Sequence, residues 1–371
     1  MRNNHTLVVF YASMRNIGLL YHFRYMSEAF DKLLVKHDQI KLLIVTENGE
    51  QIEGLRNELT SSIKNGEILD VENIDEVNNY ISNCINNFDR IILLTQGNLQ
   101  LLQACKMKVK YRKKINIYLR LNSFNHGKKI KRTLNSLFIT ALSVIFNVKI
   151  NFQCGYTKKI FAGASILQVL NRSTVIPLGL NSEDLTKDYS DIEKKYVNII
   201  YLAQFHKHKN HLLIIKKLSR LLNERHNLKL NFYGDGEYLN DCENYVKQHG
   251  LDRNIKFHGR IPREQIPDVI NKADLSLVAS KVETFGHNVL EPAWFGVPIL
   301  TTKVGIAEDL LKDYRAGYLV KTDLSDIETS LIAMLGNLQK LKANAEQDKV
   351  IIRKKYNWDT VVASYIKEGI I

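Results

Sequence analysis

KVETFGHNVLEPAWFGVP, Lys281 to Pro298, sets two glutamates eight positions apart around a Phe-Gly step. Glu283 and Glu291 bracket Phe285 and Gly286, and Gly296 and Pro298 close the segment. The plainest account is a helix carrying two exposed acids. The flanks argue for more. The run "LSLVAS" (275–280) before it and "VPILTT" (297–302) at its end both read as short buried strands. The segment is then strand, turn, helix, strand. Pro292 directly follows Glu291, and proline is tolerated only in a first helical turn, so the helix starts no earlier than about His287 or kinks there.

The same alternation runs outward in both directions. "VNIIYLA" (197–203), "LKLNFYG" (228–234) and "NIKFHG" (254–259) are further strands, with helices expected at about 210–224, 238–249, 263–272 and 287–295. Upstream, "TLVVFYA" (6–12), "KLLIVTE" (41–47), "RIILLTQ" (90–96) and "INIYLRL" (115–121) read as buried parallel strands separated by helix-length polar stretches. At 371 residues the chain exceeds a single hydrophobic core. The fold class is α/β, with two doubly wound, Rossmann-like domains. We place an N-terminal domain at 1–180, a charged linker without an apolar stripe at 181–196, and a second domain at 197–357. In the closing "YNWDTVVASYIKEGII" (356–371), Trp358, Val361, Val362 and Tyr365 recur at helical spacing.

Charge is spread unevenly. From Arg90 to Ser182 there is no Asp or Glu, against sixteen Lys and Arg; outside that block 36 basic residues stand against 39 acidic ones, although the whole chain carries +13. Such a block is a footprint for an anionic partner: a membrane surface, a polyanionic acceptor or nucleic acid. "HGKKIKRTLNSLFITALSVIFNVK" (126–149) joins a basic start to an apolar run at 134–148. That run is short of the ~20 residues that span a bilayer. It reads as a buried or interfacial helix. The four cysteines (Cys84, Cys105, Cys154, Cys242) are scattered without metal-ligand spacing, which points to reduced thiols in a cytosolic protein. The N-terminus reads as a first strand and not as a signal peptide.

Four loops of the second half each follow a strand end: "AQFHKHKNH" (203–211), "YGDGE" (233–237), "FHGRIP" (257–262) and "SKVETFGHNVLE" (280–291). With the E-x7-E pair, its internal Phe-Gly and the following G-x-P, this order resembles the nucleotide-sugar domain of GT-B glycosyltransferases, most closely the large retaining group called family 4 or group 1. "VIPLGLN" (175–181) is similar to the segment that ends the first domain in that family. The C-terminal helix at 358–371 is similar to the one that crosses back to it. "GHNVLEPAWFG" also resembles the Kdo-transferase branch of the fold.

The resemblance implies two domains facing a cleft and a nucleotide diphosphate sugar as donor, UDP-linked by expectation, with no metal and no other cofactor. Glu283 would accept from the donor sugar's hydroxyls, and Glu291 from the ribose hydroxyls. The turn Thr284-Phe285-Gly286, with His287 and Asn288 opening the helix, would offer N–H groups and a positive dipole end to the diphosphate. Lys209 matches the family's phosphate-binding lysine, while Gln204 stands where the family carries arginine. Gly234, Gly259 and Arg260 complete the implied donor site. In the first domain His126 is the histidine available where the family places one in catalysis. Lys128, Lys129, Lys131 and Arg132 would meet the acceptor or an anionic membrane. The expected enzyme is a hexosyltransferase, cytoplasmic and peripheral on the inner membrane face. It would serve bacterial surface polysaccharide synthesis with a glycan or lipid-linked acceptor and without nucleic acid as partner. The alternatives are a nucleotide-sugar epimerase on the same fold, a non-catalytic basic binding protein, or a degenerate partner subunit.

Overall fold

The apolar runs become parallel strands, in two separate sheets. A computed structural model describes residues 5–11, 17–34, 40–47, 53–71, 74–96, 98–121, 129–181 and 195–371. One unit comprises Met1–Asn181 with Tyr356–Ile371, and the other Ser182–Lys355. Of the linker expected at 181–196, residues 182–194 lie outside the described residues.

The first unit holds β1 (Thr6–Tyr11), β2 (Ile40–Glu47), β3 (Glu67–Val71), β4 (Arg90–Thr95), β5 (Ile115–Arg120), β6 (Lys149–Phe152) and β7 (Ser173–Val175). Their order is β3-β2-β1-β4-β5-β6-β7, and every pairing is parallel. Central strands covered on both faces need continuous apolar runs, which is why Leu7 to Phe10 and Ile91 to Leu93 are fully buried. On one face Phe10, Phe30 and Tyr365 stack edge-on, at 5.9 and 5.4 Å between ring centroids.

Tyr365 belongs to the helix Trp358–Lys367, so the chain's last segment completes the first unit. Its helical stripe of Trp358, Val361, Val362 and Tyr365 is buried, and the Asn357 side chain caps it by accepting from the Asp359 N–H at 2.8 Å. Asn151 of β6 donates to the Tyr365 hydroxyl at 3.1 Å. The division falls at Tyr356, because Leu180 donates to the Tyr356 carbonyl at 2.8 Å and pairs in parallel with Asn357.

The second unit holds β8 (Val197–Leu202), β9 (Leu228–Tyr233), β10 (Ile255–Phe257), β11 (Leu275–Val278), β12 (Ile299–Thr302) and β13 (Gly317–Val320). Their order is β10-β9-β8-β11-β12-β13, again all parallel. The order reverses between β8 and β11. In doubly wound sheets that reversal leaves a crevice beyond the strands' carboxyl ends, where ligands bind. The helix His211–Glu224 follows β8, and the helix His287–Phe295 follows β11.

Candidate active site

The loops leaving β8 and β11 meet at that reversal. After β8 the chain makes a short turn at Lys207–Lys209 and enters the helix through Asn210, held left-handed at φ 60°. Three hydrogen bonds fix this loop. The Asn210 side chain donates to the Ala279 carbonyl at 2.8 Å, the Lys281 N–H to the His208 carbonyl at 2.7 Å, and the Tyr201 hydroxyl to the Lys209 carbonyl at 2.7 Å. Lys209 is thereby aimed at Glu283, and the two form an ion pair with both side chains largely withdrawn from water. Ser280 donates to the same carboxylate oxygen, Oε1, at 2.7 Å, and its own carbonyl accepts from Thr302 at 2.7 Å. The carboxylate's other oxygen takes no hydrogen bond among the described residues.

Beyond Glu283 the chain turns through Gly286, left-handed at φ 87°, which stands as the N-cap of the helix His287–Phe295. Glu283 is therefore not a capping acid. It lies three residues ahead of the cap. The helix begins at His287, as the proline argument allows, and Pro292 sits inside it as the sixth residue. With no N–H there, the Asn288 carbonyl loses its helical donor, and the helix ends after nine residues at left-handed Gly296. Phe285 is buried, and its carbonyl accepts from Ile306 at 2.6 Å. Gly305 makes that contact feasible, since a Cβ there would lie 2.2 Å from the Phe285 oxygen. Gly305 and Ser280 both shape the site, and neither is evident from the motif. Their one signal in the sequence is position, since each follows a strand end.

The remaining expected donor residues divide. Glu291 lies half-buried on the helix, 3.9 Å from the Arg263 guanidinium, a partner that sequence reasoning missed. Thr284, His287 and Asn288 are half-buried at the helix entrance. Gln204 is exposed on the β8 loop, beside half-buried His206, which is 3.8 Å from Glu237. Gly234 donates to the Gly259 carbonyl at 2.8 Å, tying the β9 and β10 loops together. Gly234 also faces the β8 loop, where a Cβ would lie 2.1 Å from the Ala203 oxygen, so close approach between loops requires glycine here. Arg260 is exposed.

Beneath the β8 loop, His211 is buried between Phe205 and Tyr201, at 3.9 and 4.7 Å between rings. Burial, and secondarily the charge of Lys209, push its imidazole down to about 3. It is a neutral packing element that bears on the loop carrying Lys209.

In the first unit His126 and Lys128 lie outside the described residues, as does the side chain of Lys129. Lys131 is exposed and Arg132 half-buried at the start of the helix Lys129–Phe146. That helix buries Ser136, Ile139, Thr140, Leu142 and Ser143. It exposes Ile130 (74%), Leu134, Leu137, Phe138, Val144 and Ile145 (70%). At 3.6 residues per turn the exposed set falls within an arc of about 120°. None of the described helices is long and apolar enough to cross a membrane.

Residues 182–356 match the family described as "Glycosyl transferases group 1". The GPI3 subunit of phosphatidylinositol N-acetylglucosaminyltransferase from Saccharomyces cerevisiae is 24% identical over half of this chain and 42% of its own length. N-acetyl-alpha-D-glucosaminyl L-malate synthase from Bacillus anthracis is 23% identical over 49% of this chain and 47% of its own. The chain thus spans less than half the length of these relatives. Anabaena HepE in complex with UDP superposes with a TM-score of 0.72 at 15% identity, covering 98% of both chains. This chain carries the GT-B fold of two parallel-sheet Rossmann-like domains, and its second unit is similar to the glycosyl transferases of group 1.

Proposed function

We propose that the protein is a retaining glycosyltransferase moving a hexose from a UDP-sugar to a glycan or lipid-linked acceptor in the synthesis of a bacterial surface polysaccharide. One observation carries the reading: Lys209 and Glu283 meet at the β8/β11 reversal, in front of the helix that begins at His287. In a nucleotide sugar the anomeric carbon lies between a phosphate and a ring of hydroxyls. A cation and a carboxylate held side by side suit that junction. Lys209 and the helix N-terminus stabilise charge growing on the departing diphosphate. Glu283, with an oxygen to spare, accepts from sugar hydroxyls. Glu291 accepts from the ribose. No metal is given a role, and retention rests on the resemblance to family 4. UDP is favoured by the nucleotide bound to HepE, and N-acetylglucosaminyl transfer by the names of both relatives. The apolar arc of the helix Lys129–Phe146, within the acid-free block, supports docking on an anionic leaflet.

Thermal-shift measurements against UDP-, GDP-, ADP- and CMP-sugars test the donor. A UDP-sugar at a hundredfold excess over its Kd should stabilise the fold by about 2.7 kcal/mol. The other three should act far less. No response to any of them, or an epimerised sugar recovered after incubation with donor alone, would refute the transferase reading.

A further inference from the structure

We propose that Ser280 is a positioning residue, which keeps Glu283 aimed at the donor sugar when the diphosphate draws on Lys209. Two donors share one oxygen of the Glu283 carboxylate: the Lys209 ammonium and, at 2.7 Å, the Ser280 hydroxyl. A nucleotide sugar treats these two donors differently. Lys209 is a cation on a flexible stem, and an arriving diphosphate competes with Glu283 for it. Ser280 is neutral, short and fully buried, so a phosphate has no hold on it.

Three adjacent strands fix its place. Ser280 lies two residues beyond β11, and its carbonyl accepts at 2.7 Å from the hydroxyl of Thr302, the last residue of β12. Its hydroxyl neighbours that of Tyr201 in β8, which donates to the Lys209 carbonyl at 2.7 Å. Burial pushes the Tyr201 phenol upward, so it stays a neutral donor. Ser280, Thr302 and Tyr201 are all fully buried. A hydroxyl in such surroundings costs stability unless it is bonded, and this one is bonded to the carboxylate. With Oε1 held there, Oε2 is left in a fixed position for a sugar hydroxyl. The inference rests on the reading of Glu283 as the sugar-facing carboxylate. It assigns the aim of that carboxylate, in the donor-bound state, to Ser280 and not to the ion pair.

The test compares the parent chain with Ser280→Ala and Ser280→Cys. Cysteine keeps a similar size with only a weak S–H donor, so one variant remains if the other fails to fold. Calorimetry with UDP, and with whichever of UDP-N-acetylglucosamine, UDP-glucose and UDP-galactose stabilises the parent most, isolates the sugar's share of binding. Steady-state release of UDP from the same sugar follows turnover. We expect UDP alone to bind parent and variants alike. Affinity for the UDP-sugar relative to UDP should fall roughly tenfold in both variants, and kcat/KM by roughly 10–100-fold, as for a lost hydrogen bond to a charged group. Sugar binding and turnover equal to the parent's would overturn the proposal. So would a UDP affinity that falls as far as that for the UDP-sugar, since Ser280 would then only support the loop. A parent that binds none of these nucleotides removes the transferase reading as well, whereas parent-like variants remove the positioning role alone.

Discussion

The helix His211–Glu224 of the second unit and the helix Lys129–Phe146 of the first each bury one face within their own unit, and they treat water oppositely. The former buries Ile214, Ile215, Leu218, Leu221 and Leu222 and turns Lys216, Lys217, Arg220 and Glu224 outward. The latter turns Leu134, Leu137, Phe138 and Ile145 outward. Charges follow the same division. In the second unit two cations of the candidate site meet carboxylates: Lys209 with Glu283 and Arg263 with Glu291. In the first unit, no described Lys or Arg side chain between 90 and 182 has a carboxylate partner. A surface that is apolar and cationic together does not suit water alone.

The largest effect should appear on that surface. Replacing Lys128, Lys129, Lys131 and Arg132 by serine removes four charges worth about 1 kcal/mol each at an anionic leaflet. Affinity for phosphatidylserine-containing vesicles in a sedimentation assay should drop nearly a thousandfold, with transfer to a soluble acceptor retained. Equal binding to neutral and anionic vesicles, or no change in the variant, would erase the contrast between the units.

Next in size is the ion pair. Lys209→Ala should lower kcat by roughly 10²–10³, because the leaving diphosphate loses its nearest fixed charge. Steady-state kinetics with saturating donor checks this. Full activity would mean that the pair is structural, like an ordinary half-buried salt bridge.

A smaller effect separates the units by pH. His211 titrates near 3 when folded and near 6.5 when unfolded, so its contribution to stability is complete above pH 6.5 and declines as pH falls toward 3. Within that window the loss is about 1.4 kcal/mol per pH unit. His211→Phe keeps the stacking on Phe205 and Tyr201 but has no proton to take up. Denaturation followed between pH 7 and 4.5 should show the variant losing less stability than the parent on acidification. Parallel pH profiles would place the acid sensitivity elsewhere.

The two units also differed in how far the sequence revealed them. In the second, the strands at 197, 228, 254, 275 and 297 and the helix start at His287 were all readable, because apolar runs alternate there with clear turn residues. Only β13 escaped. It is a four-residue edge strand whose GYLV is only partly buried, so no continuous core run marks it. In the first unit β3, β6 and β7 escaped as well; β3 and β7 form the sheet's edges, and β6 follows directly on the apolar run of the helix Lys129–Phe146. The site shows the same limit. E-x7-E draws the eye to Glu283 and Glu291, but Ser280, Gly305 and Arg263 reach the site through folding.

We propose that one carboxylate of the E-x7-E pair holds the sugar and the other the nucleoside. Calorimetry with UDP on Glu283→Ala and Glu291→Ala, alongside transfer assays, addresses it most directly. We expect Glu291→Ala to weaken UDP binding by about 1.5–3 kcal/mol, the worth of a charged hydrogen bond. Glu283→Ala should abolish transfer while binding UDP nearly as the parent does. Unchanged UDP affinity in both variants, with transfer intact, would contradict the account.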